Sequence, residues 1–277
     1  MLKTRILTAL VLLAILLPVL WLNHAPAFAV IVVVFFTAAI WESFRLFNNK
    51  QALLVALFWS AAFVYTFFFG DGLAQPNVWF ILCVVIWLIR FVPALATGLP
   101  AVAGTGNLLL SLVYGVAIVG CFVAVMALFH RSPLFLLSVM ALVWIADVGA
   151  YFSGKAFGKR KLAPSISPGK SWEGAFGGAI AVLLTATVTI VCAPAAPWLA
   201  DTFAVRLQAQ WGWPMALAIL ALIVAASVVG DLFESLLKRR AGFKDSSNLL
   251  PGHGGVLDRI DSLIPVLPLA ALIAARF

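Results

Sequence analysis

Asp258 and Asp261 stand three residues apart around Arg259, soon after the run Pro251-Gly252-His253-Gly254-Gly255. If that segment is helical, the two carboxylates share a face. Two carboxylates plus substrate phosphates are the usual way a protein holds Mg²⁺. Acidic residues at a helix start also suit the helix dipole, which explains one carboxylate better than two flanking an arginine. Glycines let backbone N–H groups approach phosphate oxygens closely. Alone, the glycine run is weak evidence. Between Lys238-Arg239-Arg240 and Lys244 on one side and the aspartates on the other, it reads as a cradle for a polyphosphate and its metal. His253 stays open between phosphate contact, proton donor and turn residue.

Upstream, Asp231, Glu234, Ser235 and Lys238 fall on one face of a helix of about 3.6 residues per turn, with Ser227 behind them. Such a polar stripe is a transport path or a ligand site, and it should not face lipid. Asp147 and Asp231 have no basic residue within a helical turn, so both point to function. Glu42 has Arg45 three residues on and stays open between neutralisation and function.

A second polar patch runs through Ser165-Ile166-Ser167-Pro168-Gly169-Lys170-Ser171-Trp172-Glu173-Gly174. Gly169-Lys170-Ser171 suggests a P-loop, but the first glycine position is Pro164 and no buried strand precedes it. What survives is a helix N-terminus capped by Ser167 or Ser171, which with Lys170 makes a natural anion site.

The frame that must position these residues is membranous. Of 277 residues, 64% are hydrophobic and 10% charged, against about 25% charged in a soluble domain. Mean hydropathy is +1.13. Yet residues 231–261 hold five of the ten acidic side chains and five of the eighteen basic ones. Apolar runs near 20 residues favour helices over a barrel. The expected fold is all-α and polytopic, with about nine spans near 5–22, 27–46, 52–70, 77–95, 107–129, 134–154, 173–192, 214–237 and 260–276. Residues 1–133 form five N-terminal spans, and 134–277 form a catalytic part of four. Lys3 and Arg5 before an apolar run, with Ala27-Phe28-Ala29 behind it, imitate a signal peptide. Residues 6–22 are long for one, so a retained first helix is expected. Cys83, Cys121 and Cys192 lack ligand spacing and read as small hydrophobes.

With the N-terminus in the cytoplasm, fifteen basic residues fall on that side and three (Arg131, Arg206, Arg276) on the other, as the positive-inside rule requires. Loops 155–172 and 238–259 then share the cytoplasmic face. A long loop at 193–213 with Trp198, Trp211 and Trp213 lies opposite, its tryptophans reading as an interfacial belt. The net charge of +8 is topology control and attraction to anionic headgroups. No soluble basic domain exists to carry nucleic acid.

The stretch S-L-L-K-R-R-A-G-F-K-D-S-S-N-L-L-P-G-H-G-G-V-L-D-R-I-D resembles the signature of phosphatidate cytidylyltransferases, also called CDP-diacylglycerol synthases. The upstream D-V-G-A-Y-F-S-G-K-A-F-G-K-R-K-L-A-P-S-I-S-P-G-K-S-W-E-G resembles that family's second patch. Together they cover about the last half of the chain. The resemblance implies a membrane enzyme that condenses CTP with phosphatidic acid, giving CDP-diacylglycerol and pyrophosphate, with Mg²⁺ required and a second cation left open. It implies a homodimer in the bilayer of the bacterial cytoplasmic (inner) membrane, with cavities facing the cytoplasm. The family's metal-binding aspartates map onto Asp231, Asp258 and Asp261.

The residues suit this chemistry. Both reactants are anionic, so basic groups must gather them, and the leaving pyrophosphate needs charge neutralisation. Phosphatidate is largely dianionic at neutral pH, so no general base is required. The expectation is that Asp231, Asp258, Asp261 and Lys238 carry catalysis, the three aspartates holding the metal. Lys170, Ser171, Ser235, Arg239, Lys244, His253, Gly254, Gly255 and Arg259 are expected to bind substrates. The alternatives are a CTP-dependent polyprenol or phytol kinase, and a secondary transporter using the Asp147/Asp231 stripe. Against transport, no inverted repeat is visible. No D-G-x-x-A-R run of the CDP-alcohol phosphotransferases is present.

Overall fold

The computed structural model describes residues 2–277, with the side chains of residues 2–6 and of Ala9 outside that description. Lys3 and Arg5 of the basic tally therefore lie outside the described side chains. The helices are α1 (Leu2–Trp21), α2 (Ala25–Leu46), α3 (Ala52–Val64), α4 (Pro76–Ile86), α5 (Val92–Thr97), α6 (Thr105–Arg131), α7 (Pro133–Phe157), α8 (Trp172–Cys192), α9 (Phe203–Ala241), α10 (Leu257–Ile260) and α11 (Leu263–Ala274). Wide π-turns at Tyr65–Phe69 and Trp87–Phe91 extend α3 and join α4 to α5.

Among the described residues, seven helical stretches are long and apolar enough to cross a membrane, and the apolar helices Leu10–Trp21 and Leu263–Ala274, which fall within the first and last expected spans, are shorter than that. Local chemistry sets several ends. Ser132 accepts the Phe135 N–H at 3.1 Å and Pro133 follows it, so α7 starts where the sequence breaks. Gly242, at φ 74°, closes α9, with the Phe243 N–H reaching the Lys238 carbonyl at 2.9 Å.

Two expectations change. Most of the loop expected at 193–213 is ordered as a 3₁₀ turn (Pro197–Asp201) and the first part of α9. Gly212 breaks that helix at φ 73°, ψ 176°, and Pro214 restarts it, so Pro214 reads as a span start although helix precedes it. The loop at 155–172 holds a small antiparallel hairpin, β1 (Lys161–Ala163) and β2 (Ser167–Ser171), with Lys161 opposite Ser171.

Among the seven long helical stretches α6 is the most enclosed, 67% of its apolar window being buried against 22% for α8. Phe36 of α2 stacks on Phe63 at 4.4 Å and meets Phe122 of α6 edge-on at 5.4 Å. α11 is only 12 residues long but almost wholly buried. It spans about 18 Å at 1.5 Å per residue, short of a bilayer, and its partners are protein rather than lipid. α7 and α8 meet through glycines: a Cβ on Gly178 would sit 2.6 Å from the Ala146 carbonyl oxygen, and one on Gly149 2.8 Å from Ala181 Cβ. This close approach brings the hairpin against the polar end of α9.

Candidate active site

The polar end of α9 and the stretch after it fold into one network. Lys238 is clamped between Glu234, one helical turn back, and Asp258 Oδ1 at 2.6 Å. Both carboxylates are buried, the Glu234 side chain fully and that of Asp258 to 5% exposure. Asp258 opens α10, and its Oδ2 accepts the Ser246 N–H at 2.8 Å, the Ser246 hydroxyl at 2.9 Å and the Gly255 N–H at 2.8 Å. Burial pushes the Asp258 carboxyl up, but the Lys238 hydrogen bond and charge and the two N–H groups outweigh it, holding it below the usual carboxylate range.

The glycine run makes a tight turn. His253 N–H bonds the Leu250 carbonyl, and Leu250 N–H bonds the Gly254 carbonyl, both at 2.8 Å. Gly254 stands at φ 83°, and a Cβ there would lie 2.7 Å from Asp258 Oδ2. Arg259 reaches back to the His253 carbonyl at 2.8 Å. His253 Nδ1 is buried without a hydrogen-bond partner.

Asp231 meets the second patch. Its Oδ2 is ion-paired with Lys170 of β2, and the Ser235 hydroxyl lies 3.4 Å from its Oδ1. Ser171, expected as one of two caps, caps α8 by accepting the Gly174 N–H at 3.1 Å. Glu173 accepts the Lys159 and Arg160 N–H groups at 3.1 Å each, tying down the segment that leads into the hairpin. Asp261 accepts the Ser262 N–H at 2.7 Å. Burial pushes the Asp261 carboxyl up to about 8, and the nearby charge of Asp231 adds to the rise.

A cavity of about 600 Å³ brings together Lys170, Ser171, Asp231, Lys238, Asp258, Arg259 and Asp261, with Asp147 on its α7 wall. A second, of about 700 Å³, holds Lys244, His253 and Gly254, and shares Arg259 and Asp245 with the first. Gly255 is buried beneath them. Arg239 is exposed and lines neither cavity; it follows Lys238 by one position and so leaves the stripe. Ser235 contributes through Asp231 rather than by lining the space.

A cation was expected on three aspartates. Among the described residues no three carboxylate, imidazole or thiol side chains already form a ligand set. Asp231 and Asp261 fit the role. They line one cavity, like charge bears on like, and Lys170 already supplies a positive charge to Asp231. Asp258 is committed to Lys238, Ser246 and Gly255, and joins them only where Lys238 releases Oδ1. Two carboxylates would make half a cation site, leaving the remaining positions for substrate oxygens.

Ser246, Ser247 and Glu42 were not assigned from sequence, yet they hold the loop. Glu42 bonds Ser246 and Ser247 from more than 200 positions away, and no local pattern announces a partner at that distance.

Fold and site together define a polytopic helical membrane protein with a polar cavity, lined by basic and acidic side chains, at one end of its bundle. Residues 3–277 match the model of the cytidylyltransferase family. A protein of Pseudomonas aeruginosa named phosphatidate cytidylyltransferase is 42% identical, over 98% of this chain and 96% of its own. One of the same name from Haemophilus influenzae is 38% identical over 97% and 96%, and one from Bacillus subtilis 33% identical over 77% and 73%. The chain belongs to the cytidylyltransferase family and is a membrane nucleotidyltransferase.

Proposed function

We propose that the protein condenses CTP with phosphatidic acid to give CDP-diacylglycerol and pyrophosphate. The relatives' shared name supports the substrates. The observation that carries the chemistry is the single cavity in which Lys170 of the hairpin meets Asp231 of α9, Arg259 of α10 and Asp261 just after it. A phosphatidate oxygen attacks the α-phosphorus of CTP, the bond to the β-phosphate's bridging oxygen breaks, and pyrophosphate leaves. The nucleophile is already ionised at neutral pH, so the absence of a partnered histidine at the centre fits.

Asp231 and Asp261 would hold Mg²⁺, which when bound neutralises charge developing on the transferred and leaving phosphates. Lys170 and Arg259 supply the positive charge that gathers two anionic substrates. Lys238, buried between Glu234 and Asp258, orients Asp258 rather than meeting substrate. Lys244 and the Gly254 turn, in the adjoining cavity, suit the polyphosphate tail. The cavity lies at the end of the bundle that carries the excess of basic residues, which supports a site facing the cytoplasm, where CTP is.

Purified protein with α-labelled CTP, phosphatidate and Mg²⁺ tests this. Label in a CDP-lipid with release of pyrophosphate is expected. Unlabelled phospholipid with labelled CDP would mean γ-phosphoryl transfer to a lipid alcohol, and would overturn the reading.

A further inference from the structure

Glu42 of α2 is a fully buried carboxylate. Arg45, the partner its neighbourhood offers, turns elsewhere: its guanidinium lies 5.5 Å from the Trp41 ring and 5.0 Å from that of Phe243. Among the described residues no ion pair reaches Glu42. Four donors do. Oε2 accepts the Ser246 hydroxyl at 3.1 Å and the Leu257 N–H at 2.6 Å. Oε1 accepts the Ser247 hydroxyl and, at 3.0 Å, the Val256 N–H.

Each oxygen thus takes one hydroxyl from the start of the loop and one amide from its end, where α10 begins. The carboxylate closes residues 246–257 into a ring. Ser246 carries the effect onward, because its one hydroxyl proton is shared between Glu42 Oε2 and Asp258 Oδ2, the latter 2.9 Å away. The ring is tight: a Cβ on Gly255 would collide with Ser246 Oγ and Glu42 Oε1, so glycine at 255 is a steric requirement of this contact. A residue needed only to fill space would not require four matched donors. Buried acceptors matched in this way specify one arrangement of the groups around them.

We infer that Glu42 is a positioning residue for the reaction: it clamps both ends of the glycine loop, sets Asp258 through Ser246, and fixes the first turn of α10, whose Leu257 carbonyl accepts the Asp261 N–H at 2.9 Å. This rests on the reading that places Asp261 at the reacting centre, with Asp258 in the wall of the same cavity. A first-half helix that contributes no residue to the lining of either cavity thereby governs the geometry of the aspartates.

The test uses the full chain in lipid nanodiscs, comparing Glu42→Gln, Ser246→Ala and Ser247→Ala with wild type by steady-state kinetics, Mg²⁺ titration and amide hydrogen exchange. Glutamine keeps the volume but turns an NH₂ against donors. For Glu42→Gln the expected loss in kcat is on the order of 10²-fold, with about a tenfold rise in half-saturating Mg²⁺, the range found when groups behind metal ligands are removed. KM for phosphatidate should stay within about twofold, since uniform substrate binding is untouched. Exchange should quicken in 246–257 while 133–157 and 172–192 keep wild-type protection. Ser246→Ala should show the same pattern with about a tenfold loss of kcat.

Wild-type kcat and exchange in Glu42→Gln would overturn the inference. So would equal loosening of every helix in Glu42→Gln with both serine variants at wild-type kcat and exchange, which would make Glu42 a structural residue alone. Should the wild-type protein make no CDP-lipid, the reaction reading falls, and the exchange data still decide whether Glu42 clamps the loop.

Discussion

The stretch 158–171 and the stretch 242–262 deliver charge to the same cavity from opposite kinds of scaffold. The first is a two-stranded hairpin with an irregular register, tied down by Glu173, whose partner Arg160 is 77% exposed. The second is fixed by buried carboxylates: Glu42 and Glu234 are wholly enclosed, and Asp258 nearly so. Exposed ion pairs contribute little and are screened, whereas removing one member of a buried network leaves its partners stranded. The contrast assigns different tasks. The 242–262 loop holds its aspartates in place before any substrate arrives. Under the proposed reaction the hairpin would follow a substrate, with Lys170 passing from Asp231 to an incoming phosphate.

On that division, the largest effect belongs to the rigid side. Asp261→Asn should lower kcat on the order of 10³-fold, comparable to removing a preorganised charge-stabilising group. Membrane insertion and helical content by circular dichroism should be unchanged. A variant retaining a tenth of wild-type turnover would remove Asp261 from the centre and leave the second loop as scaffold only.

Lys238→Met should act mainly on stability. It leaves Glu234 and Asp258 buried without their shared cation, at a cost of about 3 kcal/mol. Chemical denaturation in detergent would read this as a lower midpoint. An unchanged midpoint would mean that the second loop is no more tightly held than the hairpin.

Metal demand should follow the protonation of Asp261. Its carboxyl is raised to about 8, so at neutral pH the metal-free site carries a proton that a cation must displace. Half-saturating Mg²⁺ should rise as pH falls below 8, approaching about tenfold per pH unit for one proton, and level off above it. The same shift means that the metal-free fold, which binds this proton more tightly than the unfolded chain, loses that advantage as pH rises from the ordinary carboxylate range through 8. Mg²⁺ titrations at pH 6.5, 7.5 and 8.5 would show the trend. A flat profile would detach Asp261 from the cation.

How much of this was legible in the sequence depended on distance along the chain. Pro133, the Ser171 cap and the Asp231–Lys238 stripe are local signals, and the structure brings each out where it was read. The ordered stretch 203–211 was hidden because Gly212 and Pro214 imitate a loop followed by a helix start. The hairpin was hidden because Pro164 and Pro168 break any strand pattern in a segment of only three- and five-residue strands. Glu42 could be noticed, but its four donors lie more than 200 positions away, and Arg45 at i+3 offered a nearer and wrong partner. Arg239 was drawn into the site by its neighbours Lys238 and Arg240, although the helical turn carries it off the stripe. Charge density located the site, and the buried contacts that orient it needed the fold.

The smallest expected effect tests the adaptable side of the contrast. In Glu173→Gln one acceptor oxygen remains for the Lys159 and Arg160 N–H groups, while the Arg160 side-chain pair weakens. The hairpin keeps its pairing of Lys161 with Ser171 and the 2.9 Å bond from the Trp172 N–H to the Arg160 carbonyl. Lys170 therefore remains near Asp231 but samples a wider range. KM for CTP should rise about two- to threefold with kcat unchanged, the signature of lost uniform binding rather than lost transition-state contact. The thermal midpoint should not move. A fall in kcat approaching that of Asp261→Asn would show that the hairpin must be held as rigidly as the second loop, and the two scaffolds would then be parts of one fixed centre.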